Sequence, residues 1–402
     1  MLEFIHCADI HLGSFPSRNE VRFNDFFIAF ERVIDYAISK GVKLILISGD
    51  FFQMRSINPK TLDRTIKILK TAKANNIEIV AIEGNHDQAY FVDEESWLSF
   101  LHSQNYLSLL KSEIVDGKIK LDFYDGKKGN IIEKENFRII GIDYLGGSTE
   151  KYIENLNEII LPSNKYTILM LHAAVNRLVG QNMGDIKGEV ILKLKDKINY
   201  LALGHIHSRY EAYDFAYNPG ALENIRLRDA HQDDKGFYHV IVDSLNNHEV
   251  NFIPANPRKT TFLKIDVSKA KTPEDVYDIV KNNDMRIDKD SILEVNLYGQ
   301  ASFNPYLIKT QEIEDFFNNE KKVLICEVNN YVNLLTTESS EDALDDLDFI
   351  ISNLITEEIK INYPENPNPE KTTELILNIN NMLSEDIDDD DIINELIKEE
   401  EL

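Results

Sequence analysis

Five short segments of this chain carry residue types suited to metal chemistry. They are Asp9-Ile10-His11, Gly49-Asp50, Gly84-Asn85-His86-Asp87, His172, and Gly204-His205-Ile206-His207. Carboxylate oxygens can bridge two cations, and imidazoles supply neutral nitrogen donors. Mixed nitrogen and oxygen ligation suits Mn, Fe, Zn or Co better than Mg or Ca. Two such ions about 3.5–4 Å apart lower the pKa of a water between them and stabilise both oxygens of an in-line displacement at phosphorus. An Asp-x-His or a Gly-Asp alone arises often by chance. Gly-Asn-His-Asp is more specific, and Gly-His-x-His more specific still. The segments hold five of the ten histidines, so His6, His102, His231, His239 and His248 are left to ordinary packing or surface roles.

Each segment follows an apolar run that reads as a strand: 2–7, 44–48, 77–82, 166–171 and 200–203, with a sixth at 137–142. Amphipathic stretches at 22–40, stopped by Gly41, and at 59–73, with Asn58 as N-cap and Pro59 at the first helical position, separate the first three. A further helix is expected over 96–110. This alternation predicts an α/β fold, a layered β-sheet sandwich flanked by helices. In open α/β sheets ligands bind beyond the carboxyl ends of the strands, so the five segments belong on one rim. Gly49, Gly84 and Gly204 would let the chain turn sharply there.

A boundary is expected near 254–259, where Pro254 and Pro257 bracket a polar stretch. Strands at 261–267, 292–298 and 323–328 and helices at 273–282 and 305–318 then predict a small second α/β domain. The reading is three parts: 1–257, 258–335, and an acidic helical tail, 338–402. The tail contains a helical candidate at 341–359, a Pro-rich linker at 364–369 and an acidic helix at 374–396.

A chain of 402 residues suits two or three domains, and 43% hydrophobic residues exclude a collagen-like or wholly disordered chain. No apolar run reaches the roughly 18 residues of a membrane span. The first residues lack a secretory pattern, and Cys7 and Cys326 make no disulfide framework. An intracellular, cytoplasmic protein is expected, with no membrane partner. The net charge of −26 argues against a nucleic-acid binder until its distribution is read. Residues 338–402 hold 21 acidic and 3 basic residues, net −18, which leaves −8 on the other 337. No GxxxxGK[ST] is present, so no P-loop binds ATP.

The segments Ala8–Gly13 (ADIHLG), Gly49–Phe52 (GDFF), Gly84–Asp87 (GNHD), Leu171–Val175 (LHAAV) and Gly204–His207 (GHIH) resemble the calcineurin-like metallophosphoesterases. Their order, with Asn218–Glu223 (NPGALE) and Asp234–Tyr238 (DKGFY), resembles the SbcD-type DNA repair exonucleases within them. The resemblance implies two divalent ions, most often Mn²⁺. It implies one held by Asp9, His11, Asp50 and His207 and the other by Asp50, Asn85, His172 and His205. His86 would protonate or stabilise the leaving oxygen. Asp87 would either orient His86 or merely hold its loop. Many family members carry a histidine where Gln53 stands; Gln53 can hydrogen-bond a phosphate but carries no proton or charge at neutral pH.

The same resemblance makes 258–335 a capping domain that contacts DNA. Lys259, Lys264, Lys269, Lys271, Lys281, Arg286 and Lys289 form either a phosphate-contacting face or a solvated surface. Arg226, Arg228 and Lys235 are candidate backbone-phosphate contacts. The implied partners are double-stranded DNA ends and hairpins, a coiled-coil ATPase of the SbcC type docked through the C-terminal helices, and a second copy of the chain, with 59–73 and 96–110 as candidate dimer helices. The competing reading is a metallophosphodiesterase acting on a small phosphodiester or a phosphoprotein, which would share all five motifs.

Overall fold

The computed structural model describes residues 2–90, 95–175, 186–231, 235–245, 247–283, 286–335, 355–356, 359 and 368–384. Two six-stranded sheets form the centre. In the first, Leu2–Cys7, Leu44–Ser48 and Glu78–Ile82 run parallel, with the hairpin Gly236–Ser244 and Asn247–Pro254 antiparallel on one flank and Ser108–Leu109 on the other. In the second, Phe137–Ile142, Tyr166–Leu171 and Tyr200–Leu203 run parallel, flanked by Ile131–Glu133 on one side and by Ala216–Asn218 and Tyr210–Ala212 on the other.

Alternate residues of one strand face opposite layers. Leu44 and Leu46 join Phe4, Val80, Ile168, Met170 and Tyr200 in the core between the sheets. Ile45 and Ile47 pack outward under the helices Glu20–Lys40 and Pro59–Ala74, against Phe27, Phe30, Val33 and Leu69. Residues on both faces are covered, which is why these strands read as unbroken apolar runs. The second sheet is covered on its outer face by Thr149–Ile159 and Gly188–Leu192. The result is the expected four-layer α/β sandwich. His6 bridges the sheets: Nδ1 lies 3.0 Å from Tyr200 Oη and Nε2 3.0 Å from the Leu203 carbonyl. Burial pushes its pKa down to about 3, so it is an uncharged packing residue.

A parallel three-stranded sheet, Thr260–Asp266, Ile292–Ala301 and Ile325–Leu334, packs one face on the helices Pro273–Lys281 and Thr310–Phe316. Four charged side chains tie its first strand to the sandwich. Arg258 makes a two-pronged pair with Asp25 at 2.7 Å, and Arg22 reaches Asp25 at 2.7 Å and Glu223 at 3.1 Å.

Several elements depart from the sequence expectation. Only Trp97–Ser103 of 96–110 is helical; Asn105 takes a φ of 57°, and the leucines beyond it enter the core through Ser108–Leu109. The stretch 305–318 divides into a 3₁₀ turn, Pro305–Leu307, and Thr310–Phe316. Pro369 opens the helix Pro369–Ser384 rather than ending a linker, with the Asn368 side chain accepting from Lys371 N. Most of 341–359 and all of 385–402 lie outside the described residues. Among the described residues no helix is long and apolar enough to cross a membrane.

Candidate metal centre

The five segments meet where the parallel strands of both sheets end. Their backbones are strained there: Asp9, His11 and Asp50 each hold φ at 51°, and His205 at 85°. Non-glycine residues enter this region at a cost of about 1–3 kcal/mol each, repaid by surrounding contacts. Here the first two loops run side by side. Asp9 N donates to Gly49 O (3.1 Å), His11 N to Asp50 O (3.0 Å) and Leu12 N to Phe51 O (2.9 Å). The third loop is fixed by Asp87, whose carboxylate accepts from Phe51 N, Phe52 N and Gly84 N at 2.9–3.0 Å.

Glycine is required at three points on the rim; a Cβ on Gly204 would strike the Ser48 carbonyl, and the other two are as tight. A Cβ on Gly49, whose φ is 88°, would strike the His172 ring, and one on Gly84 would strike the Asp50 carboxylate and amide. Gly84→Ala is therefore expected to displace Asp50 and weaken Mn²⁺ uptake at least about tenfold, because a shift of this size disrupts ligand geometry. Metal analysis of dialysed protein checks it; unchanged uptake would show that the loop yields elsewhere.

Donor atoms of Asp9, His11 and His207 lie within 4.8 Å of one another, as do those of Asp9, Asp50 and His172, and those of His11, Asp50 and His86. Asp50 Oδ2 is 3.3 Å from His172 Nε2 and 3.7 Å from His11 Nε2. Asn85 Oδ1 is 3.2 Å from both His172 Nε2 and His205 Nδ1. The structure thus brings together all seven side chains expected as ligands.

The residues fit a pair of cations. Both ring nitrogens of His11 are buried with no hydrogen-bond partner among the described residues, and buried polar atoms in native proteins rarely stay unpaired. Burial pushes His11 down to about 3, so its imidazole is held neutral, as a ligand must be. Burial pushes Asp9 up to about 6. Burial also opposes charge on Asp50, yet its neighbours, His172 first among them, hold it well below the usual carboxylate range. His172 is in turn raised to about 9 because Asp50 outweighs its own burial. Buried carboxylates facing imidazoles are what a divalent ion would neutralise.

His86 stands at the edge of this cluster, its ring edge-on to His11 at 5.0 Å between centres. Its Nδ1 faces the Gln53 carbonyl at 2.7 Å, which leaves Nε2 for a reacting group. The Asp87 carboxylate accepts from loop amides, and the carbonyl facing the His86 ring is that of Gln53. Burial raises Asp87 to about 7, with the Asp50 charge adding to it. The Gln53 amide oxygen is buried beside this site with no hydrogen-bond partner among the described residues. Arg226 is exposed and lines a cleft of about 560 Å³ between the sandwich and the three-stranded sheet. The Arg228 side chain lies outside the described residues. Lys235 is buried, and its Nζ donates to the His207 carbonyl at 2.9 Å, so it is not a phosphate contact.

Two residues at the site had no place in the sequence reading. Tyr144 follows the strand Phe137–Ile142, and its ring lies 5.6 Å from His205 and 6.0 Å from His172. The strand-end rule applied to 137–142 would have found it. Asp229 lies 3.4 Å from His207 Nδ1 and comes from a loop with no motif. The cleft side of the three-stranded sheet also differs from a phosphate-contacting face: Glu294, Glu327 and Asn329 line it, and Lys259 pairs with Asp288.

The calcineurin-like phosphoesterase profile matches residues 2–209, just over half of the chain and all five motifs. The chain belongs to the calcineurin-like phosphoesterase family. It is a metal-dependent phosphoesterase hydrolase; its family uses a dinuclear metal centre, and the clustered donors are candidate ligands for one. Its similar relatives include proteins described as "DNA double-strand break repair protein Mre11". That of Sulfolobus acidocaldarius is 25% identical over 358 residues, 84% of this chain and 88% of the relative. That of Nanoarchaeum equitans is 25% identical over 333 residues, 78% and 87% of the two chains. That of Archaeoglobus fulgidus is 26% identical over 239 residues, 57% of this chain; the match spans about half of that longer relative, 52%.

Proposed function

We propose that the chain is a Mn²⁺-dependent DNA nuclease that processes double-strand-break ends, as the nuclease subunit of an SbcCD-like complex. The observation that carries the reading is the convergence of Asp9, His11, Asp50, Asn85, His172, His205 and His207 on one rim with His86 beside them. The relatives named for double-strand-break repair add the substrate class. Two divalent ions would supply Lewis acidity, activating water and neutralising phosphate charge. Asp9, His11, Asp50 and His207 would hold one, and Asp50, Asn85, His172 and His205 would hold the other.

The chain's own groups do the rest. The Gln53 carbonyl fixes the His86 ring, so a protonated Nε2 can donate to the leaving oxygen. The donor grouping of His11, Asp50 and His86 would also suit a ligand role, which the metal content of a His86 variant distinguishes. Gln53 and Arg226 contact phosphate, and Arg228 is assigned with them. Residues 1–257 form the catalytic domain, 258–335 the capping domain, and 338–402 the segment that docks on an SbcC-type coiled-coil ATPase. The protein acts as an intracellular homodimer.

The test is cleavage of end-labelled duplex and hairpin DNA with Mn²⁺ or Mg²⁺, beside bis-p-nitrophenyl phosphate. Mn²⁺-dependent DNA cleavage is expected. Turnover of the small diester with DNA untouched, even with the ATPase added, favours the small-substrate phosphodiesterase. Deleting 338–402 is expected to spare cleavage and abolish ATPase co-purification; retained co-purification overturns the tail assignment.

A further inference from the structure

Metal-bound histidines commonly present one ring nitrogen to the ion and donate from the other to a partner that fixes the ring. In His172 the rear nitrogen is Nδ1, which faces the Ser48 carbonyl at 2.8 Å. His207 is held differently. Its Nδ1 faces a carboxylate, Asp229 Oδ2, at 3.4 Å. Asp229 is itself 5% exposed and lies in the strap Leu227–His231.

The strap is built to hold that carboxylate in place. Asp229 Oδ2 also accepts from Ile225 N at 3.2 Å and Arg226 N at 3.0 Å. The main chain of His207 is gripped as well: its carbonyl accepts from Lys235 Nζ at 2.9 Å and from Ala221 N at 3.1 Å. The histidine is thus fixed at both backbone and ring, and with Nδ1 facing Asp229 the ring nitrogen left for a ligand role beside Asp9 and His11 is Nε2. His207 also packs edge-on to His11, with ring centres 5.0 Å apart. The next anchor of the strap is His231, whose ring stacks on Phe262 at 3.7 Å and whose Nε2 lies 3.3 Å from Glu294.

We propose that Asp229 is a positioning residue for the metal centre: it fixes the tautomer and ring plane of His207 and strengthens the metal site formed by Asp9, His11, Asp50 and His207. The proposal rests on the ligand assignment given above. A fixed negative charge behind the imidazole makes Nε2 a stronger donor to that one ion. The second ion, on Asn85, His172 and His205, draws nothing from Asp229. The effect is therefore asymmetric between the two sites, which a general loosening of the loop would not be.

The experiment is calorimetric titration of Mn²⁺ into the full chain, for wild type, Asp229→Asn, His207→Asn and the double variant. Asparagine keeps an acceptor for Ile225 N and Arg226 N while removing the charge, so the loop retains its shape. Asp229→Asn is expected to weaken one of two sites by about tenfold or more and leave the other unchanged. Adding it to His207→Asn is expected to change nothing further, because its effect passes through that ring. Asp229→Glu, which keeps the charge, is expected to recover part of the lost affinity. Unchanged affinity in Asp229→Asn, equal weakening of both sites, or the same loss with His207 already removed would each overturn the proposal. Wild type that takes up no Mn²⁺ would overturn the ligand assignment itself; two ions in wild type with an unaffected Asp229→Asn would overturn only the role of Asp229.

Discussion

His86→Asn is expected to slow phosphodiester cleavage by about 100- to 10,000-fold, the range for loss of a general acid, with metal content unchanged. The ring touches the cluster without being needed to complete it. Its Nδ1 is held by the Gln53 carbonyl, and its backbone N–H donates to Asp50 Oδ1 at 2.9 Å. Asparagine keeps that backbone bond and removes only the titratable ring. The measurement pairs a rate on bis-p-nitrophenyl phosphate with plasma emission analysis of bound Mn²⁺. Loss of one Mn²⁺ per chain would make His86 a ligand and sink its role as acid.

Asp50→Asn is expected to cost metal as well as rate. The Asp50 carboxylate stands between the two halves of the cluster, 3.3 Å from His172 and 3.7 Å from His11. On the proposed ligand assignment it would serve both ions, and an amide bridges cations poorly. Both sites are expected to lose affinity together, and cleavage to fall by about 1,000-fold or more. Thermal unfolding reads this independently of activity. Mn²⁺ at 100 times its dissociation constant stabilises a folded protein by about 2.7 kcal/mol. Wild type should show that rise in melting temperature, and Asp50→Asn should show little of it. A variant that still binds two ions would remove Asp50 from the bridging position.

Much of this was legible in the sequence because the parallel strands are buried on both faces. Leu44–Ser48 and Tyr200–Leu203 read as unbroken apolar runs, and the rule that ligands lie past their carboxyl ends placed the site. The hairpin Gly236–Ser244 and Asn247–Pro254 was not seen: its second strand is half exposed, and His248, Glu249 and Asn251 break the apolar pattern. The helix within 96–110 is shorter than its pattern because leucines at 107, 109 and 110 continue an apolar pattern that the backbone abandons at Asn105.

At the site, the sequence could name ligand types but not what fixes them. Asp87 and His86 are adjacent, which suggested that one orients the other. In the fold their side chains diverge, and a backbone carbonyl takes the orienting role. Asp229 was invisible for the opposite reason: it lies 22 positions beyond His207 and meets it only through the tertiary fold. The cap lysines show a third limit. Strand alternation sets which face a residue occupies, but composition alone does not say which face meets the cleft. The cleft side carries Glu294 and Glu327.

The most direct test of the account is anomalous scattering from a crystal soaked in Mn²⁺. Two peaks about 3.5–4 Å apart are predicted, one against Asp9, His11 and His207, the other against Asn85, His172 and His205, with Asp50 between them. A single peak, or two that do not share Asp50, would contradict it.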